Sequence, residues 1–233
     1  ACTGEQGFRD AKSMCQEVGK ALSIDEKKIL VASTGRIGLP LPMPQVRRGI
    51  RAACSTLAQT REAGDHVSEA ILTSDTHMKQ YSAEIMMGGK PVRIGAAAKG
   101  AGMIHPDMAT MLAYLTTDAA ISRAALQRAL RGAVNESFNC ITIDGDTSTN
   151  DTVLCLANGM AGNKPLKTGS SGYRVFQRML TAVCRSLALE VCRDGEGVTK
   201  LVQVMVTGAR TDADAARGAR TIGTSDRKST RLN

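Results

Sequence analysis

Thr110 closes the stretch KGAGMIHPDMAT, residues 99–110, where a glycine-rich turn and a proline run into the apolar segment MLAYL. A threonine hydroxyl is a weak nucleophile at its own pKa and needs a base beside it. The residue can supply that base itself. If the chain is cut before Thr110, the freed α-amine, with an ordinary pKa of about 7.7–8.0, takes the hydroxyl proton near neutral pH. The cut requires the hydroxyl to attack the carbonyl of Ala109, giving an ester that water opens. A small residue on the acyl side eases the bent geometry, and Gly100 and Gly102 permit close backbone approach. An Ala-Thr pair is common, however, and on these residues alone the first reading of Thr110 is structural.

Three further stretches carry groups suited to chemistry. ASTGRIG, 32–38, follows an expected strand, and the Gly35 N–H with the Thr34 hydroxyl suits an oxyanion. A plain strand-end turn fits it equally well. A dinucleotide loop does not, since the third glycine and the acidic residue about twenty positions on are absent. CITIDGDTSTND, 140–151, places Asp144 and Asp146 after an expected strand, which is similar to the opening of haloacid-dehalogenase-type phosphatases. Ser148 stands where that pattern has Thr or Val. Read as a calcium loop, the stretch has Thr149 in place of the glycine and Cys155 in place of the closing glutamate. A hydrogen-bonded polar loop between two strands is the expectation. In CRDGEGVTK, 192–200, Glu196 sits between glycines before an apolar run, where it pairs with a substrate ammonium or faces water in a turn.

The composition narrows the class. A chain of 233 residues with a 42% hydrophobic share holds one large domain or two small ones with a substantial core. Aromatics make up only 3% and tryptophan is absent, so packing rests on Leu, Ile, Val, Met and Ala. The net charge of +8 raises nucleic acid as a partner. The basic residues are scattered over expected helices and no aromatics interleave with them, so a solvated basic face is preferred and no nucleic-acid partner is expected. The seven cysteines form no C-x-x-C pair, which argues against a disulfide framework and a structural zinc site. Cys140 and Cys155, in apolar runs, read as small core residues. His66, His77 and His105 form no ligand pair, so no metal is expected. No apolar run is long enough to span a membrane and no signal segment opens the chain, which makes a soluble, cytoplasmic protein the expectation.

The elements that must position these groups follow from periodicity. Phe8, Ala11, Met14 and Val18 predict a helix, and KKILVASTG a strand ending in a glycine turn. Val46, Ile50, Ala53 and Leu57 predict a second helix begun near Pro42 and Pro44. EAILTSD reads as a short buried strand, and 80–97 as a β-hairpin turning at GGK. LAYLTTDA reads as a strand, after which Ser122 caps a helix through Leu126, Leu130 and Val134. CITIDGD and DTVLCLANG read as strands, and Phe176, Leu180, Val183, Leu187 and Val191 line a long helix. VTKLVQVMVTGA reads as a strand buried on both faces. Hairpins mixed with helix-separated strands predict a mixed α/β sandwich.

In combination, the blocks ACTGEQG, STGRIGLPLPM, ILTSDT, AAAKGAGMIHPDMATMLAYLTTDA, FNCITIDGDTSTNDT and CRDGEGVTKLVQVMVTGA resemble the ornithine acetyltransferases. These are the glutamate N-acetyltransferases of the cyclic arginine pathway. The blocks occur in the family's order over residues 1 to about 224.

The resemblance implies an αββα-like sandwich, incomplete at both ends, and self-cleavage between Ala109 and Thr110. Residues 1–109 would then be the C-terminal part of an α chain and 110–224 the N-terminal part of a β chain, with 225–233 a tail outside the family pattern. It also implies that Thr110 carries acetyl in a ping-pong transfer from N-acetylornithine to glutamate. Thr34 and Gly35 would serve the oxyanion, and Thr73, Lys99 and Glu196 would join Thr110 in binding substrate. Two processed chains would assemble as an α2β2 tetramer without metal or organic cofactor, and acceptance of acetyl-CoA would make the enzyme bifunctional. The rival readings are an N-terminal-nucleophile aminopeptidase or amidohydrolase, and a non-catalytic fragment. Asp107 replaces the family's usual Asn beside the cleavage site. The chain opens inside the family pattern and DRKSTRLN does not continue it, so a fragment with foreign last residues is expected.

Overall fold

The computed structural model describes residues 2–105 and 111–225. Asp107, Ala109 and Thr110, and the tail from residue 226 onward, lie outside the described residues. The expected hairpin is present. Its strands, β1 (Lys79–Met87) and β2 (Lys90–Lys99), pair antiparallel from Lys79 opposite Ala98 to Met87 opposite Lys90. Gly88 and Gly89 make the turn at φ +59° and +79°. A two-residue turn that follows the strand twist needs positive φ at both positions, which glycine adopts without a Cβ clash.

β3 (Leu112–Thr117) adds antiparallel to β2, and β4 (Thr152–Ala157) adds parallel to β3, giving the order β1-β2-β3-β4. Parallel neighbours need a crossover. The helix on that crossover follows three others, α1 (Gly4–Leu22), α2 (Met43–Ser55) and α3 (Arg61–Ala70), and is α4 (Arg123–Asn135). Ser122 caps α4 as expected, its hydroxyl accepting from the Ala125 N–H at 3.3 Å.

Alternate residues of the sheet, among them Ile85, Val92, Ile94 and Leu115, face the long helix α5 (Ser171–Arg193). Phe176, Leu180, Val183 and Leu187 of α5 meet them, and α4 packs beside α5. Burying each such side chain contributes about 1.5–3 kcal/mol. The result is mixed α/β, with one αβ half of the expected sandwich built from the sheet and these two helices. The 23 residues of α5 reach about 35 Å. Its far end therefore lands beside the start of β1, where the polar site begins.

α1 and α2 pack on each other, and α2 opens at Pro42 and Pro44 as expected. α3 is tied to the opposite face of the sheet through Gln80, which accepts from Ser68 Oγ and donates to Asp65. The last helix, α6 (Asp212–Gly223), and α3 were not anticipated. No helix among the described residues is long and apolar enough to cross a membrane.

Four expected strands fail, each for a local reason. In KKILVASTG, Glu26–Lys28 is a 3-10 turn capped by Asp25, and residues 29–35 join no described strand. Extended preference makes a strand only where an edge is available to pair with. In EAILTSD, Glu69 and Ala70 finish α3, and the Leu72 N–H bonds back to the Glu69 carbonyl. In CITIDGD, Phe138–Cys140 is a 3-10 turn and Gly145 at φ +81° bends the chain away from a ladder. In VTKLVQVMVTGA, Leu201, Val202 and Met205 are exposed rather than buried on both faces, because no described element covers them. The cysteine expectation also needs correction: Cys140 is exposed and Cys155 only half-buried. Cys184 and Cys192 are the buried pair, and burial pushes their thiols to about 12 and about 11.

Candidate active site

Lys99, the last residue of β2, lies on the sheet face turned away from α5 and is 2% exposed. Its ammonium has three donors. Among the described residues it uses one, to Thr73 Oγ1 at 3.2 Å. Burial lowers its pKa, while the charges of Asp75 and Asp151 work to raise it and Lys79 opposes them. A buried cation with two unused donors is costly unless something else accepts from them. It is the group in this region most suited to gripping a carboxylate or carbonyl oxygen.

The loop before β1 holds Thr73 in place. Asp75 Oδ1 accepts from Lys79 Nζ and from the Gly100 N–H, each at 2.7 Å, and Asp75 Oδ2 accepts from the Thr73 N–H at 3.2 Å. One carboxylate thus fixes both the Thr73 loop and the residue after Lys99. Burial opposes its charge, but Lys79 and the two backbone donors outweigh that and keep the carboxyl below the usual range. Lys79 also pairs with Asp194, at the end of α5, and donates to the His77 carbonyl at 3.4 Å. Burial works against the Asp194 charge too, yet Lys79 and Thr76 bring it down to about 2.

On the other side of Lys99, the segment 149–152 leads into β4. Asp151 Oδ1 accepts from the Met111 N–H at 2.8 Å, and its Oδ2 is buried without a hydrogen-bond partner among the described residues. Burial pushes this carboxyl up to about 6, against the pull of the Met111 N–H and Lys99. Asn150 Nδ2 donates to the Ser33 carbonyl at 3.0 Å, which joins the turn of Thr34 and Gly35 to the same segment. Thr34 is half-buried, and Gly35 is exposed at φ +147°. A cleft of roughly 370 Å³ opens there, lined by Thr3, Met14, Ser33, Asn150 and Asp151.

Glu196 arrives from beyond α5. Its N–H donates to the Ala101 carbonyl at 2.6 Å, and its exposed carboxylate lies against Gly102. A Cβ on Gly102 would come within 3.0–3.2 Å of that carboxyl group, so a side chain there would require the Glu196 carboxylate to shift by a few tenths of an ångström. Thr34, Gly35, Thr73, Lys99 and Glu196 are thus all tied to loops beside residues 99–105 and 111. Thr110 and Ala109, the remaining expected site residues, lie outside the described residues. Among the described residues, no group of three or more His, Cys, Asp or Glu side chains is arranged to hold a metal.

Asp75, Lys79, Asp151 and Asp194 were not anticipated as site residues. Their sequence signal is faint: each is a charge in or beside a polar loop that borders a strand or helix. That placement is also common for solvated chain ends.

Comparison with known proteins places these residues in context. The model of the ArgJ family matches residues 1–231. The "Arginine biosynthesis bifunctional protein ArgJ" of Symbiobacterium thermophilum is 56% identical over 222 residues, covering 95% of this chain and 55% of that relative. The protein of the same name from Bacillus subtilis is 49% identical over 215 residues, covering 92% and 52%. A crystal structure of the Bacillus halodurans protein of that name is 46% identical, with a TM-score of 0.46 over 48% of this chain and 53% of that one. The chain spans about half the length of the curated relatives it matches.

Proposed function

The chain belongs to the ArgJ family, and we propose that it moves an acetyl group from N-acetylornithine to glutamate through Thr110. The observation that carries this reading is Lys99: a buried ammonium that, among the described residues, donates only to Thr73 and feels the charge of Asp151, the carboxyl that holds the residue after Thr110.

Self-cleavage comes first. The Thr110 hydroxyl adds to the Ala109 carbonyl carbon, the C–N bond breaks, and the hydroxyl proton ends on the freed amine. Water then opens the ester, leaving a carboxylate on Ala109 and both hydroxyl and amine on Thr110. Residues 1–109 and 110–224 thereby become parts of two chains.

In the transfer, the Thr110 amine takes the hydroxyl proton as the oxygen attacks the acetyl carbonyl of N-acetylornithine. The proton passes to the departing amine of ornithine, leaving acetyl-Thr110. The glutamate amine then attacks that ester and the proton returns to the threonine oxygen. Thr34 and Gly35 supply donors for the oxyanion of each tetrahedral intermediate. Lys99, oriented by Thr73, grips the substrate α-carboxylate, and Glu196 receives the second charge of ornithine. Acetyl-CoA is the proposed second donor, a reading in keeping with the name bifunctional that the relatives carry. An α2β2 assembly in the cytoplasm completes the proposal.

The test is intact-mass analysis of the full-length protein beside Thr110→Ala. The expected result is two chains divided at Ala109–Thr110 in the first and one chain in the second. A pulse of N-acetylornithine should then leave acetyl on the chain that begins with Thr110. Equal processing of both proteins would remove Thr110 from the role.

A further inference from the structure

The polar stretch 142–152, unassigned by the proposed reaction, holds the chain on both sides of the expected cleavage site. Before it, Asp144 accepts from the backbone N–H groups of Met103 and Ile104, the latter at 2.8 Å. The Ile104 carbonyl accepts in turn from the Ile143 N–H at 2.8 Å and the Thr142 hydroxyl at 3.2 Å. After it, Asp151 accepts from the Met111 N–H at 2.8 Å, and the Met111 carbonyl accepts from the Thr152 N–H at 3.0 Å. Ile104 and Met111 are each gripped at N–H and carbonyl alike, and both are buried.

The first grip also stabilises an unfavourable backbone. Met103 sits at φ +56°, in the left-handed region that side chains other than glycine, Asn and Asp seldom adopt. The bond from its N–H to the Asp144 carboxylate holds it there. The second grip rests on the half-buried Asp151, whose buried Oδ2 has no partner among the described residues. A buried acceptor left open is costly and calls for a reason. Met111 directly follows Thr110, so the Asp151 bond anchors the first described residue after the expected cleavage site.

We infer that Asp151, with Asp144 as the weaker second point, is a positioning residue for self-cleavage, splinting the chain on either side of the Ala109–Thr110 bond. This inference rests on the proposed role of Thr110. Asp151 touches no reacting atom. It acts through the Met111 peptide, limiting how far the Thr110 backbone can turn while its hydroxyl adds to the Ala109 carbonyl. The open Oδ2, one residue from the new chain end, is suited to accept a hydrogen bond from the Thr110 α-amine once that amine is free. Asp144 is exposed, so loss of its carboxylate lets water replace part of its grip and has the milder effect.

The test follows the cleavage rate of the full-length protein by intact mass, with the thermal midpoint read on each variant. Asp151→Ala should slow formation of the chain beginning at Thr110 at least tenfold. Asp151→Asn, which keeps an oxygen for the Met111 N–H, should recover the rate to within about threefold. Asp144→Ala should fall between the two. Cleavage of Asp151→Ala at the wild-type rate would overturn the inference. So would equal slowing of the Ala and Asn variants, since that removes the hydrogen bond as the cause. Failure of the wild-type protein to cleave at Ala109–Thr110 would instead bring down the reading of Thr110 itself.

Discussion

Two buried lysines stand at the same end of the sheet and are treated in opposite ways. Lys79 opens β1 and pairs by register with Ala98, the neighbour of Lys99. All three of its donors are used, on Asp75, Asp194 and the His77 carbonyl. Lys99 uses one of three, and a nearby carboxyl, that of Asp151, has a buried oxygen without a partner among the described residues. A closed charge network fixes geometry. An open one of similar burial is costly unless something else accepts from it. The contrast separates a closed charge network from an open one, and it does so within one residue of register.

The largest effect should come from the closed side. Lys79→Met leaves Asp75 and Asp194 buried without their cation, and breaking a buried pair costs about 3–5 kcal/mol. Urea unfolding of the full-length protein should show the loss. A midpoint unmoved from wild type would mean that the network does not fasten the sheet to α5.

Lys99→Met should be the reverse, with little change in unfolding midpoint because a poorly satisfied buried ammonium is removed. Its cost should fall on the reaction. Loss of a hydrogen bond to a charged group, worth about 1.5–3 kcal/mol, lowers kcat/KM for N-acetylornithine roughly 10- to 150-fold. Full activity with a reduced midpoint would exchange the roles assigned to the two lysines.

The smallest effect is in pH dependence, and its two arms slope oppositely. Asp194, brought down to about 2, contributes stability that is present above about pH 4 and is lost as pH falls through about 2. Asp151, pushed up to about 6, contributes stability that is present below about pH 4 and is lost as pH rises through about 6. Each arm should be worth at most on the order of 2–3 kcal/mol. Unfolding curves from pH 2 to 7 should show both, and Asp151→Asn should flatten the arm between pH 4 and 6. If that slope persists in the variant, the titrating group is another one.

Much of the scaffold was legible because its signals are local. Gly88 and Gly89 between alternating strands marked the hairpin, Ser122 marked the start of α4, and Phe176 through Val191 marked α5. The four failed strands show the limit of the same reasoning. Apolar, β-branched runs such as those at 29–32 and 201–206 have extended preference, but a ladder needs a neighbour, and no residue within the run reports whether one is present. The site residues followed the same divide. Lys99, Thr73 and Glu196 were named through the resemblance, whereas Asp75, Asp151 and Asp194 matter through partners 25 to 115 positions distant.

What the sequence by itself determined is the helices α1, α2, α4 and α5 and the hairpin, set by spacing and capping, and the family, set by the order of its blocks. Only the tertiary structure decided which charges are fastened and which are left open. Lys79 and Lys99 look alike along the chain. Their difference arises when α5 delivers Asp194 to one and the 149–152 segment delivers Asp151 toward the other. Burial then turns the number of available partners into free energy.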